Sequence, residues 1–266
     1  MKEGTASHTA RAVAACRLEF DRVAAGYGDP AADESLSRDV ADGLTPSRDR
    51  MHEYLGVRTA FFDRVTVHAI DRGITQVVVG GAGYDGRAFR YARPGVRWFE
   101  VDHPATQADK RKRLARLGLD AAHIAFIPAD FTTDPVAAPL RDAGLDPARR
   151  ALFLFEGVAV YLDRPVIERV LAEFREVTSA GSTLAVSVST GANPGTRARF
   201  EERVAGFGEP ARSVLTAEEA AGLLAVAGWA LEEASGRPRF AGLLLAHAAI
   251  ATPATEREGG THTDRD

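Results

Sequence analysis

The chain has 266 residues, 45% of them hydrophobic and 26% charged, with a formal net charge of −4. That length and balance suit one α/β domain, or one domain with an added cap, and with that net charge no strong nucleic-acid footprint is expected. A single cysteine, Cys16, excludes an internal disulfide and a thiolate zinc cluster.

From His8 to about Ala25 the apolar points Val13, Cys16, Leu18, Phe20 and Val23 predict a helix. Gly26 to Pro30 is a turn by composition. The polar stretch 31–50 reads either as a mobile lid or as a short helix with loops. Leu55 to about Arg72 is an amphipathic helix stopped by Gly73.

Residues 75–79 form a first strand, followed by a short helix from near Gly86. Residues 96–101 form a second strand, and Ala105 to Leu117 a helix closed by Gly118. Within that helix Lys110-Arg111-Lys112-Arg113 reads as a solvated cluster. A third strand at 123–128 leads to Ala129-Asp130-Phe131, and a short helix spans 134–143. The apolar run Ala151-Leu152-Phe153-Leu154-Phe155 predicts a strand buried on both faces. A helix follows from Pro165, with proline in its first turn, and a strand from Ser182 to Val188. Thr216 and Glu219 form a capping box for a helix to Ala227. Trp229–Ala234 and Phe240–Ala248 close the fold as two strands. The alternation predicts a doubly wound sheet with ligands at the carboxyl ends of its strands; the closing pair must run antiparallel if they are neighbours.

No apolar run approaches the ~18 residues of a membrane helix, and the N-terminus shows no signal-peptide core. A cytoplasmic protein without a membrane or nucleic-acid partner is expected. No Gly-x-Ser-x-Gly elbow occurs, and the seven histidines are scattered, which disfavours hydrolase and metal chemistry.

The chemistry concentrates in Gly80-Gly81-Ala82-Gly83-Tyr84-Asp85-Gly86-Arg87 and Phe99-Glu100-Val101-Asp102-His103-Pro104. A glycine turn after an apolar strand, with an acid about 20 positions on, is the shape of a nucleotide-binding β-α-β unit. Asp85 stands where a pyrophosphate would sit, and Asp102, Asp130 and Glu156 stand at strand ends. Such a ring of acids repels a dinucleotide and suits a cationic ligand bearing ribose hydroxyls, such as S-adenosylmethionine. An NAD-dependent oxidoreductase is the alternative, but no tyrosine has a lysine four residues on. A catalytically degenerate cofactor-binding or interaction protein is a further alternative.

The chain resembles the leucine carboxyl methyltransferase-like superfamily, in particular its actinobacterial S-adenosylmethionine-dependent O-methyltransferase branch. The resemblance runs from about Ala10 to Ala248. It rests on Ala14-Ala15-Cys16-Arg17, Arg58-Thr59-Ala60-Phe61-Phe62-Asp63, the glycine turn, the Asp102 block, Ala129-Asp130-Phe131 and Glu156-Gly157-Val158-Ala159-Val160-Tyr161-Leu162. It implies a class I methyltransferase (Rossmann-like) sheet, mostly parallel with a C-terminal antiparallel hairpin, plus an N-terminal helical cap. Residues 1–54 would be the helical segment and lid. Residues 55–250 would be the cofactor-binding methyltransferase domain, with a cap insertion near 190–215, and 251–266 a disordered tail.

The resemblance also implies roles. Arg58, assisted by Arg17, would hold the methionine carboxylate. Gly81, Ala82 and Gly83 would pass beneath the methionine portion, beside Asp85. Asp102 would accept from the ribose, Asp130 and Phe131 would frame the adenine, and Glu156 would meet the methionine ammonium. The family commonly carries Leu and Thr where this chain has Tyr84 and Gly86, so a large ring beside the turn and a loosened helix start are expected. No catalytic base is assigned, although His103, His52 and Tyr161 are candidates. The implied acceptor is a small molecule, a carboxylate or hydroxyl of a polyketide-type secondary metabolite. Arg197, Arg199, Arg203 and Arg212 read as a solvated face rather than as acceptor ligands.

Overall fold

The computed structural model describes residues 7–44, 50–189, 212–232 and 243–248. The element order is α1 (His8–Arg17), α2 (Pro30–Ala41), α3 (Arg50–Asp71), β1 (Gln76–Gly80), α4 (Arg87–Arg90), β2 (Arg97–Asp102), α5 (Pro104–Leu117), β3 (Ile124–Pro128), α6 (Ala137–Asp142) and β4 (Leu152–Phe155). A 3-10 turn at Ala159–Tyr161 follows, then α7 (Arg164–Glu176), β5 (Thr183–Ser187), α8 (Ala217–Val226), β6 (Trp229–Leu231) and β7 (Leu243–Ala248).

The strands form one sheet in the order β3-β2-β1-β4-β5-β7-β6. The first five are parallel, with Val78 of β1 opposite Phe99 of β2 and Phe153 of β4. β7 runs antiparallel to both β5 and β6, the hairpin expected at the end of the chain. The chain builds outward from β1 through β2 to β3 and then returns to β4 on the other side of β1. That reversal opens a crevice at the carboxyl ends of β1 and β4, where doubly wound sheets bind ligands.

Strand side chains alternate between two cores because successive Cβ atoms point to opposite faces. Val78, Phe99, Phe153, Phe155 and Leu184 pack with Ile167, Leu171 and Phe174 of α7 and Leu223 of α8. Val77, Val79, Trp98, Leu152 and Leu154 pack with Leu36, Phe62, Tyr91 and Leu114 on the other face. The capping box is present: Thr216 Oγ1 accepts from Glu219 N at 3.1 Å, and Glu219 Oε2 from Thr216 N at 2.7 Å.

Two expectations are corrected, and one open alternative is decided. The first helix ends at Arg17 rather than near Ala25, because the following chain is drawn out by distant partners. Arg22 reaches across to Asp33 and Asp63, and the Val23 carbonyl accepts from Tyr91 Oη at 3.0 Å. The polar stretch after Pro30 takes the short-helix alternative: Asp29 caps α2 at Ala32 N, and Leu36 and Val40 are buried beneath it. Lys110 is not solvated but 1% exposed, with Nζ donating to Glu100 Oε2 at 2.6 Å and to the Asp85 carbonyl at 2.7 Å. The 190–215 insertion, apart from 212–215, and the 251–266 tail lie outside the described residues.

Candidate cofactor cleft

β1 ends at Gly80, and the chain reverses through Gly81 at φ +69°. A Cβ at Gly81 would stand 2.0 Å from Val158 Cγ2, so only glycine lets the turn lie against the loop after β4. The Gly81 and Ala82 amides both donate to the Val101 carbonyl, at 2.8 and 3.2 Å, strapping the turn to β2.

Asp102 ends β2. Its Oδ2 accepts from the Gly83 amide and its Oδ1 from His103 N at 2.6 Å. Burial raises the pKa of Asp102, and these two amide bonds work against the rise. His103 caps α5, its Nδ1 accepting from Ala105 N at 3.2 Å. Asp130, beyond β3, accepts through Oδ1 from Thr132 N and Oγ1 at 2.9 and 2.7 Å. Phe131 packs edge-on against Phe155, centroids 5.7 Å apart.

Glu156, just past β4, sits among three guanidinium groups. Arg58 Nε is 2.9 Å from Oε1, while Arg17 Nη2 and Arg87 Nη1 are 3.1 and 2.6 Å from Oε2. Burial alone would raise its pKa, yet Arg87, Arg17 and Arg58 together hold it well below the usual carboxylate range. Asp85 is held low in the same way, against burial, by Arg17 and Arg87. Behind them Asp63 bridges Arg22 (Nε, 2.6 Å) and Arg87 (Nε, 2.7 Å).

These groups surround a cleft of about 620 Å³. Arg17 and Arg58 wall it from the helices, Gly81, Ala82 and Gly83 from the turn, and Asp102, Asp130, Phe131 and Glu156 from the strand ends. Asp85 is not part of the wall. Its carboxylate faces inward to Arg17 and to Arg87 N, 2.8 Å away. The expected acid ring is therefore altered at this end: Asp85 and Glu156 are each paired with guanidinium groups of Arg17, Arg58 and Arg87 rather than standing as free acids. Arg17 Nε is buried and has no hydrogen-bond partner among the described residues.

Tyr84 lies in the wall without obstructing the turn, since Oη donates to Asp109 Oδ2 at 2.5 Å and fastens the ring to α5. Gly86 leaves the start of α4 without a side-chain cap and admits Asp33 of α2, whose Oδ1 would lie 1.9 Å from a Cβ there. Tyr161, His103 and Arg212 also line the cleft. His52 does not; it pairs with Glu19 at 3.2 Å. Arg212 is half-exposed and pairs with Asp163 at 3.0 Å, while Arg197, Arg199 and Arg203 lie outside the described residues. Sequence reasoning missed Arg22, Asp63, Arg87 and the Lys110–Glu100 pair. Arg87 stood in the glycine block and Asp63 in the Arg58 block, but neither had a visible partner. Among the described residues, no cluster is arranged to hold a metal ion and no helix is long and apolar enough to cross a membrane.

A family model described as leucine carboxyl methyltransferase matches residues 10–175. A protein of Mycolicibacterium paratuberculosis, named as an S-adenosyl-L-methionine-dependent methyltransferase, is 34% identical over 235 residues, covering 84% of this chain and 74% of its own. A Parafrankia protein of the same description is 39% identical over 156 residues, covering 58% of this chain and 50% of its own. Among solved structures, a Thermobifida fusca protein described as a methyltransferase matches with TM-score 0.61 at 18% identity, covering 94% of this chain and 97% of that one. A DUF574 family protein from Streptomyces avermitilis matches with TM-score 0.58 at 18% identity, covering 92% and 98%. At that identity the two structures establish a shared fold, the class I methyltransferase sheet.

Proposed function

We propose, since this chain belongs to the leucine carboxyl methyltransferase family, that it is an S-adenosylmethionine-dependent O-methyltransferase working on a small-molecule acceptor in the cytoplasm. Methyl transfer from S-adenosylmethionine is the activity of the family. The observation that supports a cofactor seat in this cleft is the convergence on one wall of Arg17 and Arg58, the Gly81–Gly83 turn, Asp102 and Glu156.

The residues fit the cofactor part by part. The Arg17 and Arg58 guanidinium groups, both in the cleft wall, suit a carboxylate. Glu156, kept ionised, offers an acceptor to an ammonium. Asp102 retains lone pairs beyond those used by Gly83 and His103, and these suit vicinal ribose hydroxyls. Phe131 supplies an apolar face for the adenine, and Asp130, whose Oδ1 holds Thr132, has no bond on Oδ2 among the described residues and suits the adenine amino group.

When bound, the cofactor supplies an electrophilic methyl group on a sulfonium. The chain's part is to align an acceptor oxygen with it and to exclude water. A carboxylate acceptor, with a pKa near ~4, needs no base, whereas a phenol near ~10 gains from one. Tyr161 and His103 are the cleft-wall groups within the described residues that could serve a phenol. The family description supports an oxygen acceptor, and we read that acceptor as a carboxylate or hydroxyl of a polyketide-type secondary metabolite.

Calorimetric titration with S-adenosylmethionine and S-adenosylhomocysteine, with NAD as control, tests the cofactor. Saturable binding of the first two without NAD is expected. Binding of NAD alone would overturn the reading.

A further inference from the structure

An ionised carboxylate offers about four lone-pair positions. On Glu156 three are taken: Oε2 by Arg17 and Arg87, and Oε1 by Arg58. The fourth lies on Oε1. Arg87 belongs to no part of the cleft wall, and none of its side chain is exposed. It is fixed on every side, with Nε on Asp63 Oδ1 at 2.7 Å, Nη1 on Asp85 Oδ2 at 2.6 Å and Nη2 on the Thr59 carbonyl at 3.3 Å.

We propose that Arg87 is a positioning residue that fixes the Glu156 carboxylate so that the open lone pair on Oε1 receives the ammonium of the cofactor's methionine group. The inference rests on the reading that S-adenosylmethionine occupies the cleft. Its physical basis is a division of labour among three like groups. Arg17 and Arg58 stand in the wall, where they are needed by the cofactor's own carboxylate. Arg17 is also shared with Asp85, at 3.4 Å. Arg87 alone holds Glu156 from behind, anchored to α3 through Asp63 and Thr59. Without it a second position opens on Oε2, the carboxylate is free to turn, and Arg17 and Arg58 are drawn onto it and away from the ligand.

The test compares two ligands by calorimetry on the full chain. S-adenosylhomocysteine carries the amino-acid group; 5′-methylthioadenosine keeps the adenosine and thioether but lacks it. The variants Arg87→Met and Arg87→Lys are expected to weaken S-adenosylhomocysteine roughly tenfold or more while changing 5′-methylthioadenosine no more than about twofold. Equal weakening of both ligands would mean a merely structural role and overturn the inference, as would unchanged affinity for both. Should Arg87→Met fail to fold by circular dichroism, Arg87→Lys carries the test, since it keeps the charge but cannot bridge Asp63, Asp85 and Glu156 together. Failure of the wild-type protein to bind either ligand overturns the cofactor reading itself, and this inference with it.

Discussion

Gly86 and Asp33 are in such close approach that a Cβ on Gly86 would stand 1.9 Å from Asp33 Oδ1 and 3.0 Å from the Asp33 Cα. Asp33 cannot give way cheaply, because its Oδ2 already accepts from Arg22 Nη1 at 3.0 Å and from Arg90 Nε at 2.5 Å. The glycine, where the resemblance leads one to expect threonine, is therefore matched by the packing of α2 on α4. Gly86→Thr, although it restores the family residue, is expected to destabilise the chain by about 1–3 kcal/mol, as overpacking of a tight contact does. Urea denaturation of the two proteins checks this; a variant as stable as the parent would show that α2 is free to shift.

What could be read in the sequence is what is set locally. The Val77–Val79 run, the Gly118 stop after α5 (φ +66°) and the Thr216–Glu219 capping box all depend on residues within a few positions of each other. The strand-end part of the cleft wall was legible for the same reason, since the glycine turn, Asp102, Asp130 and Glu156 each follow their own strand, whereas Arg17 and Arg58, on helices, were named only through the family resemblance. The charge network was not. Arg22, Arg87 and Lys110 carry the side chains most often found in solvent, and their carboxylate partners, Asp63 for the first two and Glu100 for Lys110, become partners only when the sheet and its helices assemble. Nothing in a stretch such as Lys110-Arg111-Lys112-Arg113 marks which of four cations will be enclosed; the helical phase against β2 and the glycine turn decides it.

Lys110 and Glu100 are both about 1% exposed and 2.6 Å apart. Removing one partner of a buried pair leaves the other charge enclosed, which typically costs about 3–5 kcal/mol. Lys110→Met should show a loss of that order by urea denaturation. The double change Lys110→Met with Glu100→Met should recover most of it, because a packed apolar pair carries no desolvation penalty. A double variant no more stable than Lys110→Met would mean that the Lys110 bond to the Asp85 carbonyl contributes more to stability than the ion pair does.

Asp63 sets a pH dependence whose sign can be stated. Burial would raise its pKa, but Arg87 and Arg22 lower it from 3.8 to about 2. A carboxylate depressed on folding contributes stability that is present above the unfolded value and lost as pH falls through the folded one. Its share, about 2 kcal/mol, should disappear between about pH 4 and pH 2. Asp85 and Glu156, also held low, add to this fall, while Glu100 and Asp102, both raised by burial, oppose it. Urea midpoints measured from pH 5 to pH 2 should fall for the parent and fall less steeply for Asp63→Asn, which starts from a lower stability because Arg22 and Arg87 lose their shared partner. An equal slope in the two proteins would remove Asp63 from the account.

Asp102 joins the glycine turn to the proposed ribose seat, and its two functions predict different variants. The carboxylate accepts two backbone amides, from Gly83 and from His103, and Asp102 lines the cleft. Asp102→Ala removes both the turn's anchor and the ribose acceptor. Two charge-assisted hydrogen bonds are worth about 3 kcal/mol or more, so affinity for S-adenosylhomocysteine should fall at least roughly a hundredfold. Asp102→Asn retains the shape but presents an amide nitrogen to one of two N–H donors, so it too should weaken binding, with a smaller loss in thermal stability than the alanine variant. Calorimetry with adenosine alone separates the two functions: a loss shared by adenosine and S-adenosylhomocysteine locates the effect at the ribose. Affinity unchanged in Asp102→Ala would remove the ribose from this strand end and with it the orientation of the cofactor along the cleft.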